Sequence, residues 1–155
     1  MVGIVVLLAA VVASMTFGFE GMLREPTPAN GFDHDYAASG TGNTNDRPYV
    51  NISNSAGRTV DGGDIDITDE SGNSVTWEET WTGGQAVEAG EFVHIDGFGS
   101  DGALDPICEA GQTYRIIYTR DDGTTAMVDE WTVPVSPDLP AESTHNSGDG
   151  TPTWC

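Results

Sequence analysis

Lysine is absent from this chain of 155 residues, and only five arginines supply positive charge: Arg24, Arg47, Arg58, Arg115 and Arg120. Against 25 Asp and Glu they leave a formal charge of −20. Nucleic acid and anionic membrane surfaces are held by basic patches, so neither is an expected partner. At low salt such a surface repels itself. At molar salt the screening length falls to about 3 Å and most of the repulsion is removed. The balance reads as adaptation to high salt. Cysteine is scarce as well, with only Cys108 and Cys155. Two cysteines in an exported domain usually pair, and this pair would pin the C-terminal tail to the domain before it. No His or further thiol lies near them at ligand spacing, so no metal site is expected there. The three histidines, His34, His94 and His145, are scattered. No Ser or Cys stands in a nucleophile motif beside any of them. No catalytic, cofactor or metal site is therefore expected, and an enzyme is the least favoured class.

What is present divides the chain in two. Met1 to Phe19 carries no charged side chain and no polar stripe at helical period. The expectation is a helix immersed on every side. Extended to Arg24 it would measure about 36 Å, against a bilayer core of about 30 Å. Pro26 and Pro28 would stop it and begin an extended linker. Three readings of this segment compete. A retained signal peptide should open with Lys or Arg and end at a small-residue cleavage site, and neither is clear. A simple membrane anchor is the second. The third is a mature subunit whose basic leader has been removed, because the one nearby basic residue, Arg24, lies on the far side of the span. Small residues at Gly3, Ala10, Ser14 and Gly18, the last three spaced four apart, would let neighbouring copies approach closely.

From Phe32 onward the pattern changes to period two, broken by Gly and Asx turns. Tyr49-Val-Asn-Ile-Ser53, Asp64-Ile-Asp-Ile-Thr68, Ser74-Val-Thr-Trp-Glu78, Phe92-Val-His-Ile-Asp96, Tyr114-Arg-Ile-Ile-Tyr118 and Thr125 to Trp131 read as strands, with Phe32-Asp-His-Asp-Tyr36 before them. About seven such strands predict an antiparallel sandwich or barrel of immunoglobulin-like kind. Phe32, Val50, Ile52, Ile65, Ile67, Val75, Trp77, Val93, Ile95, Ile116, Tyr118, Met127 and Trp131 are the expected inward positions. The fold class read from the sequence is thus α+β. Residues 1–24 form the helix, 25–31 a linker, 32–133 the β head and 134–155 a proline-rich tail.

Several constellations combine residue types that can carry chemistry. The carboxylates of Asp61-Gly-Gly-Asp-Ile-Asp-Ile-Thr-Asp69 lack the register of a calcium loop and read as a solvated strand face. Alternation sets His34 opposite Asp33 and Asp35, so these three cannot converge. Trp77 and Trp131 occupy core positions. Trp81, before Gly83-Gly84, is the tryptophan expected at the surface, as a contact for adhesion or for another subunit. Asn51-Ile-Ser53 is a glycosylation sequon with Asn51 facing away from the core.

Taken together, Met1-Val-Gly-Ile-Val-Val-Leu-Leu-Ala-Ala-Val-Val-Ala-Ser-Met15 and the head pattern resemble the archaeal type IV pilins, particularly those of salt-loving archaea, within the superfamily bearing archaellin-like signal peptides. The head motifs are Asp64-Ile-Asp-Ile-Thr68 after an Asp-Gly-Gly turn, Glu88-Ala-Gly-Glu-Phe92 and Glu109-Ala-Gly-Gln-Thr-Tyr114. The resemblance covers most of residues 1–133. It implies a secreted subunit cut by a prepilin peptidase before Met1, then drawn from the membrane by an assembly ATPase and a platform protein. Identical subunits would polymerise through the N-terminal helix into an extracellular adhesion filament on the cell surface. Bacterial type IV pilins usually carry Glu at position 5, where this chain has Val5. The tail has no counterpart in the family pattern. Alternatives are an archaellin of a motility filament and a monomeric membrane-anchored binding protein.

Overall fold

The computed structural model describes residues 30–139 and 154–155. Over these residues the chain is all-β, with nine strands and three short 3₁₀ turns. The α+β class is corrected accordingly. From Gly31 onward apolar residues alternate or cluster between glycine turns, and no described stretch sustains a 3.6-residue period. No described helix is long and apolar enough to cross a membrane. The expected helix over residues 1–24, with Gly3, Ala10, Ser14 and Gly18, lies outside the described residues, as do most of the tail and His145.

The strands are β1 (Gly31–Ala37), β2 (Tyr49–Ala56), β3 (Val60–Asp61), β4 (Ile65–Thr68), β5 (Ser74–Thr76), β6 (Ala86–Val87), β7 (Phe92–Ile95), β8 (Thr113–Thr119) and β9 (Thr125–Thr132). They form a three-stranded sheet in the order β1-β2-β7, a four-stranded sheet β5-β4-β8-β9 and a small pair β3-β6. Every pairing is antiparallel. The chain passes from one large sheet to the other between β2 and β4 and returns between β5 and β7, the Greek-key habit of sandwiches. Val50, Ile52, Val93 and Ile95 from the first sheet join Ile65, Ile67, Val75, Ile116 and Tyr118 from the second in one buried cluster. Strand parity puts these residues on the inner faces, as alternation requires. Along the side where β1 and β9 approach, His34 Nε2 lies 2.6 Å from Asp129 Oδ2 and the ring stacks near Trp131.

One core assignment changes, and another keeps its burial but changes its element. Met127 is 56% exposed, while Val128 packs against the cluster. The β8–β9 register shifts between Ile116 and Ile117: Ile116 faces Asp129, yet Ile117 faces Met127. The extra residue Val128 is a β-bulge, which resets the side-chain parity of β9. Trp77 is fully buried, but from a 3₁₀ turn (Trp77–Glu79) and not from a strand. Its ring lies 6.2 Å from Phe32.

Cys108 and Cys155 form a disulfide. Trp154 beside it lies across the Arg47 guanidinium, 5.0 Å away, while Arg47 also covers the ring of Phe98 at 4.9 Å. Both are cation–π arrangements. The end of the chain is thus seated on the loops at one end of the sandwich.

Candidate functional site

At that end, three loops meet around the last residues of β7 and enclose a cleft of about 350 Å³. The first loop follows the Trp77–Glu79 turn. Thr80 donates its hydroxyl to the Trp77 carbonyl at 2.7 Å, and Gly83 N–H donates to the Thr80 carbonyl. Gly83 passes so close to the Trp77 carbonyl that a Cβ there would overlap it. This tight fold turns Trp81 outward, leaving it 78% exposed. Thr82 Oγ1 accepts the His94 N–H at 2.8 Å, covering the open edge of β7.

The second loop carries the opposite wall. Asp101 Oδ2 accepts the N–H groups of Asp96 and Gly97 at 2.7 and 2.8 Å, and Asp96 Oδ1 accepts that of Phe98. These bonds fix the turn from which Phe98 projects, 57% exposed. Burial pushes the Asp101 carboxyl above its usual range, although its backbone donors act in the other direction.

The third loop supplies Asn43 and Asn45. Both amides donate to Asp96 Oδ2 at 2.8 Å, and Asn43 donates also to the Arg47 carbonyl. Asn45 Oδ1 accepts the Arg47 N–H. The buried Asp96 carboxylate therefore has its charge met by three N–H donors, without a neighbouring cation at hydrogen-bond distance among the described residues. His94 forms the floor. Its Nδ1 lies 2.9 Å from Asn51 Oδ1, a hydrogen bond that holds the ring against β2. Nε2 stands 3.6 Å from Asp96 Oδ2, and the ring lies edge-on to Trp81 and against Tyr49.

The site joins one residue read from the sequence, Trp81, with several that were not. Asn43, Asn45 and Phe98 come from two loops without periodicity, Asp96 stands at the end of the β7 run, and the four meet only in the fold. Asn51 lies on the outer face of central strand β2, half-buried, with its amide oxygen on His94. Asp33 and Asp35 are exposed while His34 turns toward Asp129. Asp61 caps the turn at Gly62–Asp64 by accepting the Gly63 N–H, and Asp69 is buried in a turn instead of lying on a solvated face. Among the described residues no group of three or more His, Cys, Asp or Glu converges as metal ligands. No family model matches this chain, and no curated protein is similar enough to be matched.

Proposed function

We propose that the chain is the structural subunit of an extracellular filament of the type IV pilus kind, serving adhesion. The observation that carries this reading is the joining of a charge-free apolar segment, Met1 to Phe19, to an acidic β head that bears a disulfide. A disulfide belongs to an oxidising compartment. Apolar segments that leave lipid and gather among their own kind expose little surface to water. A polymer then needs only a head-to-tail contact that does not close on itself. Partners on this reading are identical copies and the export and assembly machinery, with Asn51 as the acceptor of a surface glycan.

Negative-stain microscopy of material sheared from cells tests it, with an antibody against the head as label. Decorated fibres are expected, and they should disappear when the gene is deleted. Intact swimming in the deletion strain marks an adhesion filament, whereas lost swimming would move the assignment to a motility filament. Labelled single molecules without fibres would overturn the filament reading. Ala10→Leu and Ser14→Leu should reduce fibre number while leaving the head folded, because each enlarges a small residue in the apolar segment.

A further inference from the structure

We propose that the cleft between Trp81 and Phe98 binds a neutral saccharide. The proposal does not depend on polymerisation, since every residue it uses lies within one head. Its volume of about 350 Å³ falls at the lower end of small-molecule pockets, which suits one or two sugar rings. Trp81, and Phe98 outside the part that Arg47 covers, offer flat apolar surface, and the C–H face of a pyranose packs against such rings. Exposed Trp and Phe are costly to leave in water, and both stand here on loops fixed by several hydrogen bonds.

The polar groups choose among ligand classes. The lining residues include no Lys or Arg, Arg47 behind Phe98 donates to the Gly97 carbonyl, and the chain carries −20, so an anionic ligand is disfavoured. A cationic ligand would want an uncommitted carboxylate. Asp96 is buried and already accepts from Asn43, Asn45 and Phe98, while Asp101 accepts from two backbone N–H groups. Among the described residues, the cleft retains the Asn43 amide oxygen, one Asn45 N–H and the hydroxyls of Thr44 and Ser100. These groups mix donors with acceptors, and a sugar hydroxyl is both donor and acceptor. The Asp96 bonds hold both amides in place before any ligand arrives, which lowers the ordering cost of binding.

The test uses the full chain in a detergent without a sugar head group, at high salt. The four Trp indole N–H resonances are followed by ¹H–¹⁵N NMR, with that of Trp81 assigned from a Trp81→Phe variant. The probes are maltose, cellobiose, chitobiose, lactose and mannobiose, with choline as the cation and sialyllactose as the anion. At least one neutral disaccharide should shift the Trp81 resonance saturably in the millimolar range. Phe98→Ala, read from the Trp81 resonance, and Trp81→Ala, read by isothermal titration calorimetry because its indole is gone, should each weaken that binding by about tenfold, the usual scale for losing a stacking partner. The remaining indole resonances should keep their dispersion, which separates lost binding from lost fold. Ser53→Ala removes the sequon and distinguishes sources. The natural occupant is an Asn51 glycan if the Trp81 resonance shifts in this variant before sugar is added and returns when the released glycan is supplied, since Asn51 also touches His94 beside Trp81. No such shift means a free or foreign sugar, and both support the proposal. It is overturned if no neutral disaccharide acts, if choline or sialyllactose binds more tightly, or if Trp81→Ala binds undiminished. It is also overturned if the resonance moves with protein concentration alone in the Ser53→Ala variant.

Discussion

Asp69 is only 3% exposed, yet it holds a carboxylate in the turn after β4. Burial by itself would raise its pKa. Hydrogen bonds from the Asn73 side chain and from backbone N–H groups of Asp105, Asn73 and Ser71 outweigh it and hold the group below the usual carboxylate range. A depressed folded value stabilises the protein above the unfolded pKa of about 4, and that contribution is lost as pH falls through the folded value. Asp69→Asn should therefore lower stability by about 1–3 kcal/mol near neutral pH. The gap between variant and wild type in denaturant titrations should narrow below about pH 4. A gap that stays constant with pH would show that charge is not what the turn uses. Asp101 runs the other way. Its pKa is raised by burial, so its contribution is greatest with the proton on and weakens as pH rises through the folded value. Gly83 makes a steric demand instead. Gly83→Ala meets the Trp77 carbonyl and should cost about 1–3 kcal/mol in thermal or denaturant unfolding, as overpacking does. It should also shift the Trp81 indole resonance, because that side chain rides on the same loop.

β9 shows how far alternation can be read from a sequence. The run from Thr125 to Trp131 is legible as a strand, and Trp131 does pack at the core edge. Met127 and Val128 exchange places because one inserted residue shifts the register, and a bulge leaves no local mark in a run of strand formers. β4 was plain, since Ile65 and Ile67 alternate with polar neighbours and both are buried. β3 and β6 were not. Each has two residues, and Val60 faces Val87 across a gap in sequence that no local pattern spans. Leu104 and Ile107 are buried from a loop, where periodicity has nothing to say. The cleft follows the same division. Trp81 was visible beside a pair of glycines, but Asn43 and Asn45 reach Asp96 across about fifty residues. The disulfide was readable from two cysteines in a domain read as exported, though not that both halves belong to one chain. With its halves 47 positions apart in sequence, it should contribute about 4 kcal/mol in the chain-entropy model. Reduction, or Cys108→Ser, should lower the unfolding free energy by that order, and the denaturation midpoint with it, measured at fixed salt.

The molecule as a whole is shaped by its imbalance of charge. An acidic surface with a core drawn from two sheets has apolar burial working for compaction and self-repulsion working against it. Raising KCl from physiological to molar concentration shortens the screening length from about 8 to about 3 Å. The melting temperature of the head should rise over that interval, measured calorimetrically. A melting point that is flat or falls with salt would mean that the carboxylates are locally compensated. Some are, since Arg115 pairs with Glu130. The bridge between Cys108 and Cys155 has one more consequence. The peptide between the two sulfurs is a covalent ring, so a protease that cuts it once opens a circle without releasing a fragment. Nicked molecules would keep their size on a non-reducing gel and part into two pieces only after thiol is added.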